Sequence, residues 1–311
     1  YEAIIYAASE GFEVINLSWG SPNSFSQHRQ DIINFATVEK GAVVVAAAGN
    51  TPEEIDFYPA SYDNVLSVAS TDSRDLKSDF SSYSIHVDLA APGTDIISAV
   101  ANNGYGSTSG TSFASPQVAG AAALLIALRP DWTNFQVMEQ LRVTTDQISQ
   151  LQEDQPFTDK MGSGRLNVLK ALSETEAKSA RIVDFSFSNA FGEFAYFGDT
   201  VSVDIDLRNY LNDIEELVIT ASSPEQYTVM LDSTVSIGSF DSLANQTGKV
   251  RLVLNEDTPN DERIVIGFDF EGQGYSDQQF IAFNSSTDRL DFGVGQSFLT
   301  TNSTMELGHE E

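Results

Sequence analysis

Residues 41–50 read GAVVVAAAGN, with no polar side chain between Ala42 and Ala48. A strand that shows only one face to the core alternates apolar and polar residues, so a continuous apolar run of this length indicates a strand buried on both faces. Further strands are predicted at 13–20, 65–71 and 84–93, and helices near 3–10 and 26–39. Because helices alternate with buried strands, the sequence predicts an α/β domain built on a parallel sheet.

The run from Ser112 to Leu128 is apolar on almost every side. A helix of this composition is predicted to lie in the centre of the domain rather than on its surface. Before it, residues 96–110 predict a hairpin that turns at Asn103-Gly104, and a second helix is predicted near 133–142. No uninterrupted apolar stretch approaches the length of a membrane-spanning helix, so we expect no membrane insertion.

The pattern changes after the polar stretch at 173–180. Within 201–210, Val201, Val203, Ile205 and Leu207 alternate with polar residues, as in a strand with one buried face. Short strand-like segments separated by turn residues predict an all-β sandwich. We therefore expect three parts: a parallel-sheet domain at 1–175, a sandwich of immunoglobulin or fibronectin type at 181–290, and the truncated start of a further segment at 291–311.

The net charge of −29 argues against nucleic acid and anionic membranes as partners, because both attract basic surfaces. The chain has no cysteine, which excludes disulfides and thiolate metal sites. The acidic loop at 255–262 offers oxygen ligands for Ca²⁺, but a solvated hairpin loop is the more ordinary interpretation. We predict no metal ligands, no required cofactor and a monomer, and leave structural calcium open.

Residues 110–120 read GTSFASPQVAG and place Ser112 at the start of the apolar helix. A serine in the first turn of a buried helix is held rigidly, and the free N–H groups there can stabilise a developing oxyanion. Pro116, as a residue of the first turn, is expected to cost little. For an isolated serine at a helix start, a simple cap is the commoner role.

This segment resembles the nucleophile segment of the subtilisin-like serine peptidases, the subtilases. Five further segments resemble the family in the same order along the chain: 14–20, 44–50, 58–61, 79–93 and 162–168. The resemblance covers the first domain only. It implies a subtilisin-like catalytic fold, secretion or display at the cell surface, and serine endopeptidase activity on proteins or peptides.

The resemblance also implies the site residues. Ser112 is expected to be the nucleophile, and Asn50 to donate to the oxyanion from its side-chain amide. The remaining substrate-binding residues are expected to be Ser18, Trp19, Gly20, Ala48, Gly49, Gly110 and Thr111. Among them, Gly20, Ala48 and Gly49 leave room between two backbone walls for the P1 side chain, the residue on the acyl side of the cleaved bond, and Phe57 lies near the bottom of that space. Two alternatives stay open: a turn residue at Asn50 and a simple core residue at Trp19.

A serine needs a base, which in this mechanism is a histidine oriented by an aspartate. The chain has three histidines, His28, His86 and His309, and none stands in the His-Gly-Thr context of the family's base. In subtilases the order is Asp, His, Ser, so both partners are expected before Tyr1 in a longer protein. The 311 residues alone are then predicted to be inactive. The alternative is a degenerate peptidase fold that serves as a non-catalytic binding or adhesion module.

Overall fold

A computed structural model describes residues 1–152, 155–189, 200–223, 226–259 and 261–285, the single residues 192, 195 and 198, and the backbone of 289–292 and 296–299. The chain divides into two compact units. The first comprises Tyr1–Ser179 and Tyr210–Asn212, and the second comprises Ala180–Asn209 and the chain from Asp213 onward.

The described part of the first unit contains five α-helices and eight strands. The helices are α1 Glu2–Ser9, α2 Gln27–Asn34, α3 Thr111–Leu128, α4 Asn134–Val143 and α5 Val168–Ser173. A π-helical turn, Phe35–Glu39, extends α2, and a 3-10 turn covers Ser149–Gln152. The strands are β1 Val14–Leu17, β2 Ser21–Pro22, β3 Val43–Ala47, β4 Phe57–Tyr58, β5 Leu66–Thr71, β6 Leu89–Pro92, β7 Ile96–Val100 and β8 Gly104–Thr108.

The central sheet of this unit is parallel, in the order β1-β3-β5-β6. All five residues of β3 are buried. Val43 and Val45 pack in one core cluster with α3 and α4, whereas Val44 and Ala46 pack in another with α1 and α2. Helices therefore cover both faces of the sheet, as the apolar run at 41–50 predicted, and the predicted α/β class is confirmed.

The helix α3 is less enclosed than its composition predicted. It contacts β1, β3, β5 and β6 on one side, where Ala114, Val118 and Leu125 are buried. On the other side Leu124 and Leu128 are 54% and 52% exposed. Contrary to the sequence expectation, this helix has the length and mean hydropathy of a membrane span (18 residues, 1.4), although its packing on the sheet is that of a core helix.

The hairpin also differs in detail from the prediction. Gly104 already pairs with Val100, so the turn comprises residues 101–103. Asn102 and Asn103 adopt positive φ angles of 62° and 56°, which asparagine tolerates better than most residues. The Asn-Gly signal placed the turn one residue too late, because the asparagines rather than the glycine supply the left-handed conformation.

The second unit consists of antiparallel strands. They are β9 Ala180–Ser188, β10 Thr200–Asn209, β11 Ile214–Ser222, β12 Thr228–Asp232, β13 Thr234–Phe240, β14 Asn245–Leu254, β15 Arg263–Gly272, β16 Tyr275–Asn284, β17 Arg289–Phe292 and β18 Gln296–Leu299. Two four-stranded sheets form, in the orders β12-β14-β10-β9 and β13-β11-β15-β16.

These two sheets share one hydrophobic core. The alternating residues Val201, Val203, Ile205 and Leu207 are all fully buried in it, as their spacing predicted. Phe268 and Phe270 of β15 face them from the other sheet. An all-β unit after the parallel-sheet unit is thus confirmed, while its relation to immunoglobulin or fibronectin domains stays a prediction. The segment predicted at 291–311 lies outside the described residues except for the backbone of β17 and β18.

Candidate active site

Ser112 is the second residue of α3, immediately after the helix N-terminus. The N-cap is Gly110, whose φ of 154° suits glycine, and Thr111 is buried beneath the start of the helix. The N–H of Phe113 donates to the carbonyl of Gly110 at 3.0 Å. The N–H of Ser112 has no acceptor among the residues that the structure describes. It is therefore available to a ligand on the outer side of the helix end.

Asn50 follows β3 and meets this helix end with a defined orientation. Its Oδ1 accepts from the N–H of Thr111 at 2.9 Å and from Thr111 Oγ1 at 3.0 Å. A backbone N–H is always a donor, so the atom facing it must be the amide oxygen. The Nδ2 group is consequently turned away from Thr111, toward Gly110, where a Cβ would lie 3.5 Å from it.

The carbonyl of Ser112 has a partner from outside the helix. In an unbroken helix it would accept from the N–H of residue 116, but that residue is a proline. Instead Ser18 Oγ donates to it at 3.0 Å, and Ser18 Oγ also lies 3.2 Å from Ser115 Oγ. The expectation that Pro116 belongs to the first turn was wrong, because it is the sixth helical residue and does remove an intrahelical bond.

The Ser18 side chain was assigned only to the substrate-binding edge, so its contact with the nucleophile segment was missed. The signal that could have found it is the spacing of Ser112 and Pro116, four residues apart. A proline at that spacing always frees the earlier carbonyl. Nothing in the sequence, however, identified Ser18 as the replacement donor.

The other predicted residues lie in the loops after β1 and β3 and at the start of α3, with different exposures. The loop after β1 contains Ser18, Trp19 and Gly20, and the loop after β3 contains Ala48 and Gly49. Ala48 is buried, and Trp19 is 46% exposed, so Trp19 is not a core residue. Its ring packs edge-on against Tyr1 with centroids 5.3 Å apart. Because β1 and β3 are parallel neighbours, their carboxyl ends form one crevice beside α3, the usual ligand position in such sheets.

Neither of the two described histidines serves Ser112. The hydroxyl of Ser112 donates instead to the main-chain carbonyl of Ser18, at 3.3 Å. His86 Nε2 lies 3.6 Å from Asp56 Oδ1. His28 lines an apolar pocket of about 200 Å³ with Ile5, Asp31, Ile32 and Phe35. His309 lies outside the described residues. The crevice thus holds a serine and two candidate oxyanion donors, and neither described histidine is hydrogen-bonded to that serine.

Metal ligands are not grouped in the part of the chain that the structure describes, where no three His, Asp or Glu residues converge. The loop between β14 and β15, which was considered for calcium, is held by backbone hydrogen bonds. The N–H of Thr258 donates to the carbonyl of Asn255 at 3.1 Å, and the N–H of Asn255 to the carbonyl of Tyr227 at 2.7 Å. The question of structural calcium, left open by the sequence, stays open.

Comparison with known proteins gives a consistent result. The family model described as the subtilase family matches residues 1–193. A thermophilic serine proteinase of Bacillus sp. (strain AK1) is 46% identical over 148 residues, covering 48% of this chain and 36% of that protein. Thermitase of Thermoactinomyces vulgaris is 43% identical over 169 residues, covering 54% and 57%. Subtilisin BL of Lederbergia lenta is 37% identical over 166 residues, covering 53% and 58%.

One solved structure that is similar to the chain is that of the prenylagaramide maturation protease PagA. It superimposes with a TM-score of 0.51 at 31% identity, covering 55% of this chain and 64% of that one. The chain thus spans between about a third and three fifths of the length of these curated relatives.

Proposed function

Because the chain belongs to the subtilase family, we propose that the protein of which it is part is a serine endopeptidase that hydrolyses peptide bonds of proteins. The observation that carries the proposal is that Asn50 Nδ2 and Ser112 N lie near the same point, since a Cβ on Gly110 would be 3.5 Å from the first and 3.7 Å from the second. Two preorganised donors at one point are what the oxyanion of a tetrahedral intermediate requires.

The chemical steps assigned to these residues follow from their positions. Ser112 Oγ attacks the carbonyl carbon of the substrate, and the carbonyl oxygen, as it becomes negative, accepts from Ser112 N–H and Asn50 Nδ2. Collapse of the intermediate breaks the C–N bond and leaves an acyl-serine, which water hydrolyses. A base must remove the hydroxyl proton and return it to the leaving amine.

We assign that base, and the carboxylate that orients it, to polypeptide outside these 311 residues. The positions of the described histidines support this assignment, since His86 Nε2 lies 3.6 Å from Asp56 Oδ1 and His28 lines the pocket beside Ile5. The relatives named above are longer than the matched region, which leaves room for such a segment. We further propose that the protein acts outside the cell as a monomer, as an acidic and cysteine-free composition permits.

A fluorophosphonate probe tests the proposal. The full-length protein should be labelled at Ser112 and should cleave casein, and a Ser112→Ala variant should do neither. Residues 1–311 alone should be labelled far more slowly, since a serine with an oxyanion hole but no base retains only residual catalysis. Rapid labelling of the isolated chain would contradict the assignment of the base, and an unlabelled full-length protein would contradict the peptidase function.

A further inference from the structure

The crevice beside Ser112 contains a side chain that the catalytic steps do not use, that of Phe57 in β4. This strand pairs with β2, so that Pro22 lies opposite Phe57 and Ser21 opposite Tyr58. The ring of Phe57 is thereby held between the loop that follows β1 and the loop that follows β3.

The position of the ring is defined by the two glycines on either side of it. A Cβ on Gly20 would lie 2.4 Å from Cε1 of Phe57, and a Cβ on Gly49 would lie 2.8 Å from its Cγ and Cδ2. Opposite edges of the same ring therefore face the two backbones. Since a real Cβ contact is never so short, the ring fits only because both residues lack a side chain.

This space is the one that a substrate side chain would enter. A carbonyl oxygen held between Ser112 N–H and Asn50 Nδ2 places the adjoining Cα next to Gly49, which directly precedes Asn50. The side chain on that Cα then points between Gly49 and Gly20, where the phenyl ring already lies. A hydrogen or a methyl group fits at the mouth, whereas a large aromatic or branched side chain would collide with the ring.

We propose that Phe57 fills the P1 pocket and restricts this enzyme to glycine or alanine on the acyl side of the cleaved bond. The proposal rests on the proposed peptidase function, and it names the substrate class. A side chain that limits the volume of a pocket discriminates most strongly between substrates whose own side chains differ by many atoms.

The experiment compares two peptides, Ala-Ala-Pro-Ala and Ala-Ala-Pro-Phe p-nitroanilides, with the full-length protein. We expect kcat/KM for the alanine substrate to exceed that for phenylalanine by about 100-fold. Phe57→Ala should raise the value for the phenylalanine substrate by about 30-fold or more and change that for alanine less than about 3-fold. Phe57→Leu keeps an apolar side chain next to β2. Its kcat/KM for the phenylalanine substrate should lie between the values for the wild-type protein and for Phe57→Ala.

Phe25→Ala is the matched control. Phe25 is 59% exposed and packs on Tyr58 at a centroid distance of 5.8 Å, so its loss disturbs the same aromatic neighbourhood without opening the pocket. It should leave the alanine-to-phenylalanine ratio unchanged. A wild-type protein that cleaves both substrates equally would overturn the role of Phe57 and leave the peptidase function intact.

A binding measurement removes the dependence on catalysis. On residues 1–311 carrying Ser112→Ala, NMR titration with the product acids acetyl-Ala-Ala-Pro-Ala and acetyl-Ala-Ala-Pro-Phe should shift Gly20 and Gly49 amides only for the alanine peptide. Adding Phe57→Ala should make both peptides bind. If the phenylalanine peptide binds without that substitution, the proposal is wrong even where the full-length protein is active.

Discussion

The hydroxyl of Ser18 donates to the main-chain carbonyl of Ser112 at 3.0 Å, in place of the N–H that Pro116 lacks. The first turns of the nucleophile helix are therefore completed by the loop that follows β1. Asn50, in the loop that follows β3, accepts a hydrogen bond from the N–H of Thr111 at the same helix end. The loops after β1 and β3 and the start of α3 are thus joined by hydrogen bonds.

The Ser18 bond can be measured through its dependence on Pro116. Ser18→Ala should lower the free energy of unfolding of the chain by about 1 kcal/mol in urea. In a Pro116→Ala background, which restores the helix N–H, the same change should cost at least about 0.5 kcal/mol less. Ser73→Ala, at an exposed serine in the loop after β5, is the control and should be neutral. Equal costs in both backgrounds would show that the two residues are not coupled.

Asn50 has two separable roles, since Oδ1 fixes the helix end and Nδ2 faces the crevice. Asn50→Asp keeps the acceptor for Thr111 but removes the amide donor, so folding should be retained and kcat should fall by about 10² to 10³. That factor is the one known for the corresponding donor of a subtilisin. Asn50→Ala should in addition lower the melting temperature. An Asn50→Asp variant with full kcat would show that Asn50 does not donate to the oxyanion.

A buried ion pair in α4 gives a prediction about stability. Arg142 Nη2 lies 2.8 Å from Glu139 Oε2, both side chains are less than 9% exposed, and Ser179 Oγ donates to the same oxygen at 2.6 Å. Arg142→Ala removes the guanidinium from a buried carboxylate and should cost about 3 to 5 kcal/mol. Glu139→Leu combined with Arg142→Met should cost clearly less.

The control for that pair is Arg74, which is 73% exposed and bonded to Asp72 at 2.7 Å. Arg74→Ala should change the free energy of unfolding by less than about 1 kcal/mol, because exposed ion pairs contribute little. If the Arg142 and Arg74 variants unfold at the same urea concentration, burial is not what makes the Glu139 pair important.

Ionisation of the Tyr1 phenol, whose ring packs against Trp19, should be detectable at high pH. Burial, with Tyr62 as a neighbour, raises the pKa of the Tyr1 phenol to about 12. A raised pKa means that the folded state favours the neutral phenol. The resulting contribution to the free energy of unfolding is complete below the ordinary pKa near 10 and is lost as pH rises through 12. Phenolate absorbance and quenching of Trp19 fluorescence should both report this ionisation.

Tyr1→Phe should abolish the phase of the absorbance titration near pH 12. Tyr6→Phe, which changes a side chain that is 66% exposed, should leave that phase in place. A Tyr1→Phe protein with an unchanged titration curve would assign that phase to another tyrosine.

Much of the architecture could be predicted because it depends on periodicity. The apolar run at 41–50 required burial on two faces, and the alternation at 201–207 required burial on one, whatever their partners are. In the two four-stranded sheets of the second unit, β9, β11, β12, β13 and β16 were not predicted, because their patterns are mixed and neighbouring strands decide them. The positions of Ser112 and Asn50 followed from an ordered set of motifs rather than from either residue alone.

By itself, the sequence determined where buried strands and the nucleophile helix lie, because apolar spacing and helix-start residues act within a few positions of the chain. Only the tertiary structure decided that Ser18 replaces the donor missing at Pro116 and that Phe57 lies between Gly20 and Gly49. Those contacts join residues that are 94, 37 and 8 positions apart. Their geometry is fixed by how parallel strands and their loops come together in space, which local propensity does not encode.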